Sequence, residues 1–292
     1  MAARETDVKI VCDDLIKIYK RGKIEVVALR GLNCNFHRGE ITVIMGPSGC
    51  GKTTLLNMIG GLDRVNSGKI IVDGVDIAQL TDRELERYRR DKIGFLFQFL
   101  NLIPELTGEE NITLPLELAG NLSKEKREFA RELLRIVGLE DRSTHRPDEL
   151  SGGEQQRIAL AAALSNDPEI ILCDEPTGEL DSASKKVIMD LLRSIMDRFP
   201  NKSMIIVSHD SDLKMIADNM LYIRDGAISH RFSKEELHAL QETDGEVTEG
   251  GVRTYRPTSE AEASQRALVE LRELNHIIAE KIMNIEKKIH PV

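Results

Sequence analysis

EITVIMGPSGCGKTTLLNMIG, Glu40 to Gly60, passes from an apolar, β-branched run through a glycine-rich loop into a helical pattern. Its centre, GPSGCGKT from Gly46 to Thr53, has the form GxxxxGK[ST]. A strand, such a loop and a helix in that order make a phosphate cradle. The glycines let main-chain N–H groups turn inward where a side chain would block the approach, and the helix N-terminus favours an anion. Lys52 supplies a point charge between the β- and γ-phosphates of a nucleotide, and the Thr53 hydroxyl can ligate Mg²⁺. This stretch points to an α/β chain of the P-loop NTPase type.

Outward from it, short apolar runs recur: VKIVC from Val8, KIIVDG from Lys69, EIILCDE ending at Glu175 and SMIIVSH ending at His209. Each is bounded by glycine, charge or a turn, and reads as a strand. Helical patterns lie between them, over Lys52–Gly60, Lys124–Gly138, Gln155–Leu164 and Ser182–Phe199. Alternation of this kind predicts a mostly parallel sheet covered on both faces. A helix-rich stretch over about residues 99–158 breaks the alternation and reads as a helical subdomain inserted into the core.

EIILCDE brings two carboxylates, Asp174 and Glu175, to the C-terminal edge of the sheet, where open α/β proteins bind ligands. Adjacent strand residues face opposite ways, so the two are expected to differ in role. Asp174 would face Mg²⁺ through water; Glu175 would face the γ-phosphate, orient the attacking water and accept its proton.

LSGGEQQRIALAAAL, Leu150 to Leu164, is a second anion-binding opening. Ser151 can cap the following helix while Gly152 and Gly153 leave its first N–H groups accessible. No second lysine-bearing loop accompanies it, so within one chain it has no nucleotide of its own.

With these stretches in hand, the chain resembles the ATPases of ABC transporters. The resemblance rests on the phosphate loop at Gly46 to Thr53, Gln98 in FLFQF, LSGGE at Leu150 to Glu154, the pair Asp174–Glu175, Asp181 in ELD and His209 in VSH, in that order across residues 8–232. It implies a RecA-like core with an antiparallel β lobe, two subunits closing head to tail over two ATP molecules, and LSGGE completing the partner's site. It further implies that Tyr19 stacks on adenine. Gly46, Ser48, Gly49, Cys50, Gly51, Lys52, Thr53 and Thr54 would surround the phosphates, with the partner's copies of Ser151, Gly152 and Gly153 across the dimer. Thr53, Gln98 and Asp174 would attend Mg²⁺, with Gln98 also touching the attacking water. His209 would bond the γ-phosphate and position Glu175, and Asp181 would connect the two sites.

The stretch from Lys92 to Gly120 is similar to the lipoprotein-release and macrolide-export branch, whose permeases work by mechanotransmission. This implies separate permease subunits docking near Gln98–Thr107, a peripheral place on the cytoplasmic face of the membrane, and a lipophilic or lipoprotein-like cargo. Two alternatives are a complex of this kind that regulates an extracytoplasmic enzyme without transport, and a soluble ATPase acting on nucleic acid or ribosomes. Against the family pattern stand Glu179, Ala162 and Ser208; Glu179 matters most, because an extra negative charge near a dimer interface would weaken closure.

Composition bounds the rest. Of 292 residues, 41% are hydrophobic and 30% charged, enough for a sizeable core. A net charge of −9 argues against direct nucleic-acid binding. RELERYRR, Arg83 to Arg90, reads as a solvated helix face. The four cysteines lack CxxC spacing and read as reduced thiols. No run is long and apolar enough to span a membrane, and no apolar segment follows MAARETD, so a secretory signal is not expected.

After Phe232, Ser233 and Glu236 predict a capped short helix over 233–241, followed by an acidic linker over 242–258. A C-terminal helix over 259–290 carries the seam Leu268, Leu271, Asn275, Ile278, Ile282, Ile285 and Ile289. Heptad spacing with one asparagine suits either self-association as a coiled coil or packing on a partner or on its own domain.

Overall fold

The computed structural model describes residues 8–22 and 24–237. The linker and C-terminal helix expected over 242–290 lie outside them.

Two sheets organise the chain. The first is antiparallel, with strand order β2-β1-β4-β5. Strand β1 (Val8–Arg21) pairs with β2 (Ile24–His37) on one side and with β4 (Ser67–Val72) on the other; β5 (Val75–Asp76) closes a tight hairpin with β4. Along β2, buried Leu32, Cys34 and Phe36 alternate with exposed Asn33 and Asn35, the pattern of a sheet with one wet face.

The second sheet has six strands in the order β10-β9-β3-β8-β7-β6. Strands β3 (Ile41–Met45), β6 (Ile93–Leu96), β7 (Ile170–Asp174), β8 (Ser203–Val207) and β9 (Asn219–Arg224) run parallel, and β10 (Ala227–Phe232) returns antiparallel to β9. β7 and β8 are buried at every residue. Such unbroken apolar runs suit a parallel sheet covered on both faces.

Helix α1 (Lys52–Ile59) follows β3, and α6 (Ser182–Arg198) connects β7 to β8. α2 (Asp82–Lys92) is the stretch read as a solvated face. It buries Leu85 and Tyr88, and the Tyr88 hydroxyl donates to the Ile59 carbonyl at 2.8 Å. The insertion holds α3 (Gly108–Leu118), α4 (Lys124–Ile136) and α5 (Gly152–Leu164), with α5 packed on the other two. Thr81, Thr107 and Ser151 open α2, α3 and α5 through capping boxes with Glu84, Glu110 and Glu154. Ser233 and Glu236 make the same reciprocal bonds where residues 234–237 turn helical. All four cysteines are free and buried.

An ion network joins the two sheets. Lys9 on β1, its side chain fully buried, pairs with Asp73 in the β4–β5 turn and with Glu169 just before β7; Lys92 and Arg38 pair with the same two carboxylates.

Candidate functional site

Strands β3, β8 and β7 are neighbours and parallel, so the loops leaving their C-terminal ends meet. The ladder extends past the strands: Ser208 N–H donates to the Ile44 carbonyl at 3.0 Å, and Glu175 N–H to the Val207 carbonyl at 2.9 Å. That register brings the loop at Gly46–Thr53, the Asp174–Glu175 pair and Ser208–His209 together.

The loop after β3 turns on glycines. Gly46 has φ +150°, and a Cβ there would stand 2.2 Å from the Ile223 carbonyl oxygen and 2.8 Å from the Cys50 sulfur. Gly49, at φ +78°, has open space where a Cβ would go, on the exposed crest of the loop. Gly51 caps α1 without a side-chain bond, so the first-turn N–H groups stay open to an anion. Lys52 is buried, and its ammonium donates to the loop's own carbonyls at Gly46 (2.8 Å) and Pro47 (3.2 Å). Two neutral acceptors leave that cation free to exchange them for phosphate oxygens.

Thr53 Oγ1 donates to Asp174 Oδ1 at 3.1 Å. Burial, with a smaller contribution from the neighbouring Glu175 charge, raises the Asp174 carboxyl above its ordinary range, against the Thr53 bond that lowers it. A buried carboxylate facing a hydroxyl is a hard-oxygen pair that suits Mg²⁺, which typically takes few protein ligands and completes its shell with phosphate and water. Gln98 does not join them: it stands exposed in the bend after β6, with no hydrogen bond to either.

Glu175 differs from the expectation of a strand residue. β7 ends at Asp174, and Glu175 sits at φ +49°, in the left-handed region. The turn carries its side chain to the β8 loop. Oε2 accepts from Ser208 Oγ at 2.7 Å and from the His209 amide at 3.3 Å, while Oε1 lies 3.0 Å from His209 Nδ1. Ser208 is fully buried; the His209 side chain is 70% exposed, so its ring remains accessible beyond Glu175.

Tyr19, on β1, is 40% exposed and anchored rather than loose. Its hydroxyl donates to Asp63 at 2.7 Å, Lys17 pairs with the same carboxylate, and the Lys17 ammonium lies 4.8 Å from the ring centroid. Burial, then the Asp63 bond, holds the phenol above its ordinary value, with Thr54 beside it on the opposite balance. The antiparallel sheet therefore presents Tyr19 at the edge of the phosphate loop.

The opening at Ser151, expected to bind an anion, is built on a different element. Ser151 and Gly152 are exposed at the start of α5, while Gly153 faces α6, where a Cβ would stand 3.3 Å from Ser184 Oγ. Asp181 is exposed and caps α6 through bonds to the Ala183 and Ser184 amides, each at 2.9 Å. Sequence reasoning missed Ser208 as a Glu175 partner, Thr177 and Asp210 behind it, and Asp63 behind Tyr19. The serine-to-glutamate spacing at Ser151 and Glu154 was a signal for the capping box; the others are paired only by the fold.

The sequence profile of the ABC transporter family matches residues 29–178. The chain is 44% identical to the lipoprotein-releasing system ATP-binding protein LolD of Bacteroides thetaiotaomicron, over 71% of this chain and 94% of that one. It is 42% identical to the macrolide export ATP-binding/permease protein MacB of Brucella abortus, over 79% of this chain but 35% of that longer protein. Among solved structures, it is similar to the dimeric ABC transporter cassette MJ0796, of Methanocaldococcus jannaschii, with TM-score 0.71 and 42% identity over 77% of this chain and 98% of that one. The same cassette has a dimeric post-hydrolysis structure bound to ADP and Pi, with TM-score 0.71 and 41% identity.

Proposed function

The chain belongs to the ABC transporter family, and we propose that it is an ATP-hydrolysing subunit that closes head to tail over two ATP molecules and drives separate membrane permeases. The carrying observation is Glu175, turned out of its strand next to the Thr53–Asp174 pair and bonded to Ser208 and His209, which follow β8, the strand beside β3 and its Lys52 loop.

In this reading the open N–H groups after Gly46 and the Lys52 ammonium bind the β- and γ-phosphates. Ser48, Gly49, Cys50, Gly51 and Thr54 complete the wall, and Tyr19 stacks on adenine. Thr53 and Asp174 hold Mg²⁺, with Gln98 swinging in from its exposed bend. That ion would neutralise charge on the transferring phosphoryl group. Glu175 orients water and accepts its proton; His209 reaches past it to the γ-phosphate. The α5 opening, exposed at Ser151 and Gly152 with Gly153 behind them, faces the γ-phosphate of the partner subunit, and Asp181 lies where the two sites communicate. Dimeric solved relatives support this arrangement.

A groove of about 440 Å³ runs between α2, β6 and the insertion, lined by Phe97, Leu102, Pro115, Leu118, Ala159 and Ala162. Phe99 and Leu118 are among the most exposed apolar side chains near it. This groove would receive a cytoplasmic segment of the permease, and no described helix is long and apolar enough to cross a membrane itself. The relatives named for lipoprotein release and macrolide export favour a lipophilic cargo moved by a permease of that branch. None of these relatives is named for acting on nucleic acid.

Glu175→Gln should lower ATP turnover by at least about 10²-fold, the usual worth of a positioned base, while retaining ATP binding and a MgATP-stabilised dimer in size-exclusion chromatography. Turnover near the wild-type rate would overturn the assignment. Capture of permeases by this variant from detergent-solubilised membranes, identified by mass spectrometry, tests the branch.

A further inference from the structure

The loops bearing Glu175 and His209 are held from behind by helix α6. Asp210, whose side chain is 9% exposed, gathers three donors: Thr177 Oγ1 at 2.9 Å and Lys185 Nζ at 2.9 Å on Oδ2, and the Asp212 amide at 3.1 Å on Oδ1. Its own amide donates to Ser208 Oγ at 3.1 Å. The serine hydroxyl has one proton, and with the Asp210 amide filling a lone pair that proton is directed to Glu175 Oε2 at 2.7 Å. The connection runs from Lys185 through Asp210 and Ser208 to Glu175. Thr177, fully buried two residues after Glu175, ties the other end of the same loop to the same carboxylate. Burial alone would raise the Asp210 carboxyl, yet Lys185, the Asp212 amide and Thr177 hold it below its ordinary range.

Lys185 belongs to the first turn of α6, which Asp181 caps. The neighbouring Ser184 donates to Asp181 Oδ2 at 2.8 Å and lies against Gly153 at the α5 opening. One turn of helix therefore touches the α5 opening on one side and grips the Glu175 loop on the other.

We propose that Lys185 and Asp210 are positioning residues that set the Glu175 carboxylate from the first turn of α6, so that the seating of the α5 opening is felt at this chain's own base. The inference rests on the reading of Glu175 as the base. Neither residue belongs to the phosphate loop or to the Thr53–Asp174 pair; both act through Ser208. Loosening the grip shifts Glu175 without altering the phosphate loop, and misplacement by about 1 Å can cost up to about 10²-fold in rate.

The test uses the full chain with Lys185→Met and Lys185→Arg, in the wild-type and Glu175→Gln backgrounds, by steady-state and single-turnover ATP hydrolysis. Lys185→Met should lower kcat about tenfold with KM for ATP within about twofold, because the phosphate loop is untouched. Lys185→Arg should recover most of the loss. In the Glu175→Gln background, Lys185→Met should cause no further fall in the single-turnover rate. Should Lys185→Met unfold, Thr177→Val removes another donor to Asp210 and carries the same expectations. A kcat within twofold of wild type, or an equal tenfold loss in both backgrounds, overturns the inference. Glu175→Gln turning over near the wild-type rate overturns instead the reading on which it rests.

Discussion

Replacing Glu169 by glutamine should weaken the clamp between the two sheets by a calculable amount. Although burial works against it, the Lys9 and Lys92 ammonium groups bring the Glu169 carboxyl from 4.5 down to about 2. A difference of that size corresponds to about 3 kcal/mol at 1.36 kcal/mol per pH unit. The Glu169 side chain is 38% exposed, however, so solvent screening removes about half and leaves roughly 1.5 kcal/mol. Lys9 keeps Asp73 as a partner in the variant, so the larger penalty of stranding a buried cation does not apply. For a domain of this size the loss should lower Tm by about 3–6 °C. The pH dependence has a definite sign. A carboxyl whose folded pKa is depressed contributes above its unfolded pKa and loses that contribution as pH falls towards the folded one. The gap between wild type and Glu169→Gln in urea midpoints should be full from pH 7 to about 5.5, fall by about two fifths near pH 3.5, and close near pH 2. A gap that stays flat from pH 7 to pH 3, or no gap at all, would refute the ion-network account.

Two further predictions concern the nucleotide and the dimer. Gly46→Ala and Gly49→Ala should separate folding from binding. The first drives a Cβ into the Ile223 carbonyl and should cost several kcal/mol of stability, on the order of the largest single-site effects. The second meets only the backbone strain of φ +78°, about 1–2 kcal/mol, so the protein should fold while fluorescent ATP-analogue affinity falls at least about tenfold. Equal stability losses would contradict the loop geometry. Glu179, exposed between Glu175 and the Asp181 cap, should oppose closure; Glu179→Gln should lower the ATP concentration needed for dimerisation about two- to threefold, with the advantage shrinking in high salt.

Where the signal was local, the sequence could be read. The apolar run, glycine loop and helix at Glu40–Gly60 fold as expected because each step depends on neighbours within a few residues. The same holds for the Ser151 cap and for α6. β2 carries a weaker signal: Leu32, Cys34 and Phe36 alternate with asparagines, and no short apolar run announces them. Tyr88 and Leu85 were hidden among arginines, because two buried residues suffice to seat a helix whose other face is charged. The departure at Glu175 has a different cause. Periodicity assigns a residue to a strand by its apolar neighbours and carries no information about a left-handed φ, which the β8 loop supports through Ser208 and His209. The Lys185–Asp210 bond joins residues whose only relation is that α6 leads from one site loop to the next strand.

The two openings proposed to bind phosphate are prepared in different ways, and the difference bears on how the proposed closure would be controlled. At Lys52 the cation rests on neutral carbonyls, and the first turn of α1 has no side-chain cap. Phosphate therefore gains charge-assisted bonds there without breaking an ion pair. At Ser151 the opening already holds an anion of its own: Glu154 accepts from the Ser151 amide and hydroxyl, both at 2.8 Å, while its amide donates to Ser151 Oγ. Releasing such a cap costs about 1 kcal/mol, and a multiply charged phosphate at the same helix end recovers that and more. On the proposed head-to-tail closure, ATP would settle on the Lys52 loop first, and engagement of the Ser151 opening would require the partner's nucleotide to displace an internal bond. On that reading the chain would bind readily on one side and close conditionally on the other, with the first turn of α6, against Gly153 and bonded towards Glu175, between the two events.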